Sequence, residues 1–287
     1  MTARELFRDS AGSVRPPWRL ATFVVAGILS LVVVNGAIAP FAAGAVALTG
    51  ARVVLYPWIL LASAIIAHLV TFHLVDRRGW AAVALDAPAL RPRAIVGSGL
   101  LGVVAVAVPC LVLIAVGWLR FVPAVDGSSL ALAASAALFL APAAFWEELV
   151  FRGYGFAVLA EWWGRRAALG VTSAVFGLVH LQNVGATWAS VSVVALAGLF
   201  LGAILIALRS LYAAFAAHLA WNWTLAGLLH TSVSGVPFAT PDYQLIDAGP
   251  DWATGGIWGP EGGVAAAAGL LAAIMYLYVR RARREES

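Results

Sequence analysis

Three clusters of ionisable and amide side chains interrupt an otherwise apolar sequence. Residues 145–155, Phe-Trp-Glu-Glu-Leu-Val-Phe-Arg-Gly-Tyr-Gly, hold Glu147, Glu148 and Arg152. Residues 176–183 hold His180 and Asn183, and His-Leu-Ala-Trp-Asn at 218–222 holds His218 and Asn222. Carboxylate, imidazole and carboxamide can together supply what peptide hydrolysis needs: a base for water, an acid for the leaving amine and donors for the oxyanion. One desolvated glutamate can take a proton from water and return it to the leaving amine. The N–H groups of His218 and Asn222 could donate to the developing oxyanion, each worth about 3 kcal/mol in a dry site.

Helical spacing sorts these residues. Glu148 and Arg152 are four apart and share a face, so they can form an ion pair that makes both tolerable in an apolar setting. Glu147 is turned by about 100° from Glu148 and can point into the bundle. Phe176 and His180 share a face, as do His218 and Asn222. Glu147 is therefore the candidate base, with His180 positioning water and His218 and Asn222 as oxyanion donors. Glu148, Arg152 and Asn183 are supporting residues. A carboxylate with two histidines is also a sufficient ligand set for a catalytic zinc with an open position. There is no His-Glu-x-x-His pair, and the preferred reading has no cofactor. A single buried His or Asn is explained by interhelical hydrogen bonding; the whole set is more than packing needs, since each ionisable residue inside a span costs on the order of 3 kcal/mol.

The elements that must position these residues follow from composition. Of the 287 residues, 62% are hydrophobic and only 11% charged, against about 25% charged in soluble domains. This excludes a soluble globular enzyme, a disordered chain and a disulfide-stapled domain, and implies an all-α, polytopic membrane bundle. Cys110, the one cysteine, has no partner for an internal disulfide and reads as a small core residue. A span needs roughly 20 apolar helical residues. Eight segments qualify: Leu20 to Ile38, Val53 to Leu74, Ala94 to Val116, Leu130 to Phe151, Ala167 to Gln182, Trp188 to Leu208, Leu211 to Leu229 and Val264 to Val279.

All 18 basic residues are arginine, a bias that fits a bacterial plasma-membrane protein. With the N-terminus inside, 16 of the 18 fall on the cytoplasmic side and only Arg52 and Arg120 outside. That asymmetry supports an even number of spans with both termini cytoplasmic. The basic pI therefore reports membrane topology, not nucleic-acid binding. The first span is expected to be a retained anchor, because its apolar run exceeds the 7 to 15 residues of a signal core. The segment 230–263 carries Asp242, Asp247, Asp251 and Glu261 and no arginine, which suits an external loop with Trp252 and Trp258 at headgroup level. Gly198 and Gly202 form a small-xxx-small pair suited to close helix packing. His68, His73 and His230 have interfacial or packing roles.

In their order, Glu-Glu-x-x-x-Arg, Phe-x-x-x-His and His-x-x-x-Asn resemble the motifs of the CPBP intramembrane proteases, which include the type II CAAX prenyl endopeptidases and bacteriocin-processing or immunity proteins. The resemblance covers roughly Leu130 to Leu229. It implies that Glu147 is the catalytic glutamate, that His180 helps hold and activate water, and that His218 with Asn222 is the oxyanion-binding pair. The implied substrate is a membrane protein or lipidated peptide, of the prenylated CAAX class or another. The organisation expected is helices 1–3 over residues 1–129, a catalytic core over 130–229, an external loop over 230–263, and a last span with a basic tail over 264–287. Two other functions remain open: a non-catalytic immunity or scaffold protein of the same family, and a transporter, which would also place ionisable groups mid-membrane.

Overall fold

A computed structural model describes residues 6–49, 55–125 and 127–285. Arg4, Arg52 and Val53, the expected start of the second span, lie outside the described residues. The chain is a mostly helical, multi-pass membrane protein. Its helices are α1 (Pro16–Thr49), α2 (Tyr56–Val70, continued by a π turn at Thr71–Asp76), α3 (Pro92–Ala115), α4 (Ser129–Arg152), α5 (Tyr154–Trp163), α6 (Arg165–Val179), α7 (Trp188–Leu208), α8 (Leu211–Trp223, continued by a π turn at Thr224–Leu228), α9 (Asp251–Thr254) and α10 (Val264–Glu285).

The described parts of all eight expected segments are helical, and among the described residues six helical stretches are long and apolar enough to cross a membrane. The fifth and seventh segments fall short, because α6 and α8 have 15 and 13 residues. α6 ends in a 3-10 turn at His180–Gln182, and α8 loosens into its π turn. The fourth stretch runs past Phe151 through α4 and α5 to Trp163.

The chain forms two compact units that alternate along the sequence: 1–86 with 141–168, and 87–140 with 169–287. In the first, α1 packs along α2 and α5. Phe23, His68, Phe72, Trp80 and Tyr154 form an aromatic cluster there, with His68 stacked on Trp80 at 5.5 Å. Arg19, only 7% exposed, pairs with Asp76 at 2.5 Å and Glu161 at 2.7 Å. Tyr154 donates its hydroxyl to Asp76 at 2.9 Å, and Arg78 pairs with Glu161.

The break between α4 and α5 falls at Gly153, and a new helix start leaves backbone N–H groups without intrahelical acceptors. His68 Nε2 accepts one of them, from Tyr154, at 3.1 Å, while Nδ1 donates to the Ala64 carbonyl at 2.8 Å. His68 is thus neutral, with both ring nitrogens used, and its fully buried position is a packing role as expected. A Cβ on residue 153 would stand 2.5 Å from His68 Nε2 and 2.2 Å from the Leu149 carbonyl oxygen, so only glycine fits the break.

In the second unit α3 packs along α8, and α10 packs on α3 and α7. The Gly198 and Gly202 pair does allow close packing. A Cβ on Gly198 would lie 2.9 Å from Ser173 Cα, and one on Gly202 2.3 Å from Leu169 Cδ1. The expected all-helical architecture gains one exception: β1 (Leu119–Pro123) pairs antiparallel with β2 (Tyr243–Asp247), Phe121 opposite Leu245. Segment 230–263 is accordingly structured, with β2, α9 and two 3-10 turns. Trp252 is 63% exposed, but Trp258 is fully buried, so Trp258 is a packing residue, not a headgroup anchor.

His68→Ala should lower stability by about 1–3 kcal/mol, because it leaves the buried Tyr154 N–H without an acceptor. His68→Asn should recover part of that loss. Thermal unfolding of the two purified variants in one neutral detergent checks this.

Candidate active site

The apolar run of α4 carries Glu147, Glu148 and Arg152 in its last two turns. Arg152 Nη1 donates to Glu148 Oε1 at 3.0 Å, and both side chains are fully buried. The spacing i, i+4 thus gives the expected ion pair. Glu147 is half-buried, and its charge also acts on the Arg152 guanidinium. One arginine therefore stands in the field of two adjacent carboxylates. Both members of the pair lie on the buried face of the end of α4, and Glu147 departs from that face by about 100°.

His180 follows the last residue of α6 and is 9% exposed. Its Nδ1 lies 2.7 Å from the Phe176 carbonyl oxygen. A carbonyl oxygen only accepts, so Nδ1 carries a proton, and in the neutral ring Nε2 is the nitrogen with the lone pair. That tautomer suits a residue that accepts from a water molecule. His218, 7% exposed on α8, meets the Phe176 ring at a centroid separation of 6.1 Å, and His180 meets it at 4.9 Å, both edge-on. Phe176, expected only to share a face with His180, is thus the ring that lies against both imidazoles. Asn222 follows one turn after His218 and is half-buried. Asn183 donates its carboxamide N–H to the Ser234 carbonyl at 2.8 Å, tying the end of α6 to segment 230–263.

Glu147, Glu148 and Arg152 belong to the first unit, and His180, Asn183, His218 and Asn222 to the second. Beside the second set stands a buried acid that the sequence reading placed among external charges. Glu261 is 6% exposed. It accepts from Trp221 Nε1 at 2.7 Å, from the Ser234 N–H at 2.5 Å and from the Ser234 hydroxyl at 2.7 Å. Trp221 lies between His218 and Asn222 on α8, so segment 230–263 is fastened to the motif helix itself. Trp258 from the same segment comes within 6.5 Å of the His180 ring. The available sequence signal was the setting of Glu261 in Gly-Pro-Glu-Gly-Gly, a tight turn unlike a solvated charge run. His230 is fully buried, donates Nδ1–H to the Tyr243 carbonyl at 2.8 Å and stacks on the Tyr243 ring at 4.0 Å, a packing role. Among the described residues, no three His, Cys, Asp or Glu side chains are grouped as metal ligands.

Fold and residue placement together define a multi-pass helical membrane protein with an acid, two imidazoles and a carboxamide on its helices. Residues 128–224 match the model of the family described as type II CAAX prenyl endopeptidase Rce1-like. That segment contains all three motifs, from Glu147 to Asn222, and the resemblance read from them is borne out. No curated protein matches the chain.

Arg152→Ala should cost about 3–5 kcal/mol by stranding the Glu148 carboxylate, whereas the double replacement Glu148→Leu with Arg152→Leu should cost less. Unfolding in detergent distinguishes the two. Glu261→Ala should remove the common acceptor of three donors, each worth about 1–3 kcal/mol when left buried and unpaired. The outcome expected is earlier cleavage within 230–263 in limited proteolysis, with Glu261→Gln intermediate.

Proposed function

We propose that the protein is an intramembrane endopeptidase that hydrolyses a peptide bond of a membrane-associated substrate with water activated by Glu147. The observation that carries this reading is that Glu147, His180, His218 and Asn222 all fall within the one segment that matches a prenyl endopeptidase family. The tautomer of His180 supports it, since Nε2 is left to accept from water.

In the proposed reaction the Glu147 carboxylate takes a proton from water as the oxygen adds to the substrate carbonyl carbon. His218 and Asn222 donate to the resulting oxyanion. The protonated Glu147 then gives its proton to the amine nitrogen as the C–N bond breaks. Glu148 and Arg152 hold the end of α4, and Asn183 holds the end of α6. No cofactor is needed for these steps. The described residues do not supply a grouped zinc ligand set, so no step is routed through a metal. Activity lost with a chelator and restored by zinc alone would replace this version with a metalloprotease.

The substrate is a membrane protein or a lipidated peptide, possible prenylated CAAX proteins included, entering from the cytoplasm or sideways from the lipid. The topology that goes with this reading has eight spans, both termini cytoplasmic, in a bacterial plasma membrane. It treats α6 and α8 as crossing the bilayer although each is short.

Glu147→Ala should reduce cleavage by about 10²-fold to 10⁴-fold, and His218→Ala or Asn222→Ala by about 10²-fold to 10³-fold. Comparative proteomics of membrane peptides from cells carrying wild-type or Glu147→Ala protein reads both activity and substrates. Purified Glu147→Ala protein that still cleaves overturns the role of Glu147. Inactive Glu147→Ala protein with full cellular function would favour a scaffold or immunity role.

A further inference from the structure

Two cavities of the second unit run into one another along the α3–α10 surface. The first, of about 810 Å³, lies along both helices, with Leu100, Val104 and Val108 on the α3 side and Ala268 and Ala272 on the α10 side. The second, of about 840 Å³, takes in Arg91, Arg93, Arg280 and Arg281. They share Gly97, Leu101, Tyr276 and Arg280, so an apolar trough opens into a basic head. Among the described residues, no carboxylate lines either part.

The trough has a structural cause. At Gly269 the two helices touch through their backbones, because a Cβ there would stand 2.1 Å from the Ala105 carbonyl oxygen. Small residues on α10, Ala268 and Ala272, face the larger Leu100, Val104 and Val108, which are 50–60% exposed. From Gly97 to Val112 the trough follows α3 for roughly 22 Å, longer than the roughly 15 Å depth of one bilayer leaflet. At its head Arg280 lies over the Tyr276 ring, 6.0 Å from the centroid, with Nη1 3.4 Å from the Tyr276 hydroxyl.

We infer that this surface is a binding site for an anionic phospholipid of the bilayer, with one acyl chain in the α3–α10 trough and the phosphate among Arg91, Arg93 and Arg280. A smooth helical face is covered by any lipid, whichever its headgroup. Here the apolar length ends at the guanidinium groups of Arg91, Arg93 and Arg280, and the complementary molecule has a chain and a phosphate joined end to end. Basic pockets between membrane helices on the cytoplasmic side recognise anionic headgroups in this way. The arginines also lie on the side that the charge asymmetry assigns to the cytoplasm. The trough shares no lining residue with the three motifs, and the inference stands whether or not the chain cleaves peptides.

The test is native mass spectrometry of the full-length protein, delipidated in a neutral detergent. It is titrated with phosphatidylglycerol or phosphatidylcholine of identical acyl chains. Wild-type protein should retain phosphatidylglycerol at least about tenfold more strongly, as expected for several arginines that each contribute about fivefold. Arg93→Gln combined with Arg280→Gln should weaken phosphatidylglycerol about 25-fold on the same scale and leave phosphatidylcholine unchanged, which also reports that the protein is folded. Ala268→Trp with Ala272→Trp, on exposed positions of α10, should weaken both lipids by filling the trough. Equal retention of the two lipids by wild type, or a preference that survives loss of both arginines, overturns the proposal. So does displacement of phosphatidylglycerol by inorganic phosphate alone, which would make the head a free-anion site.

Discussion

Burial of a charge in a membrane helix is tolerable only when the protein itself supplies the counter-charge, and the Glu148–Arg152 pair is where the fold meets that constraint. Both side chains are fully buried and 3.0 Å apart. Neither could stay charged there alone, since the desolvation of one ion costs several kcal/mol. The pair spans one turn of α4 and marks the face of the helix end that is turned inward. Glu147, one residue earlier, inherits a fixed direction relative to the pair without itself being a member of it.

The same constraint recurs one shell outward. The helix that ends at Arg152 must restart, and Gly153 permits the break only because His68 takes up the exposed Tyr154 N–H. Arg19 is held by Asp76 and Glu161. In the second unit Glu261 collects the donors of Trp221 and Ser234, and Asn183 donates to the Ser234 carbonyl. Polar groups in water could be left to solvent; in this chain they become ties between elements. Segment 230–263 is fastened to α8 at the residue between His218 and Asn222, so the motif helix and the segment cannot shift independently without exposing a carboxylate to apolar surroundings.

What was legible in the sequence is what depends on local periodicity. Hydrophobic runs locate all eight helical segments, and the i, i+4 rule pairs Glu148 with Arg152. The three motifs locate the segment that matches the protease family. What was not legible depends on contacts distant in sequence. Glu261 looks like one more acid in a Gly- and Pro-rich loop, and only its approach to Trp221, 40 residues earlier, makes it a buried anchor. β1 and β2 are five residues each and pair across more than 100 positions, too short and too far apart for a periodic signal. Trp258 has the residue type of an interfacial anchor but is fully buried, beside the His180 ring. The shortness of α6 was partly visible in the apolar run, whereas the π turn that ends α8 has no marker in its composition.

The arginines show why amount and position have to be read together with pairing. Counted along the sequence, Arg19, Arg78, Arg152, Arg91 and Arg280 all weigh equally as cytoplasmic charges. In the structure Arg19, Arg78 and Arg152 are committed to carboxylates of their own unit. Arg91, Arg93 and Arg280 stand exposed at the mouth of an apolar trough without a carboxylate among its lining residues. The arginines therefore form two physically different populations. One neutralises charge that folding has buried, and its loss would be felt as instability. The other leaves a positive field at the membrane surface, and in a bilayer the available counter-charge at that depth is the phosphate of the lipid itself.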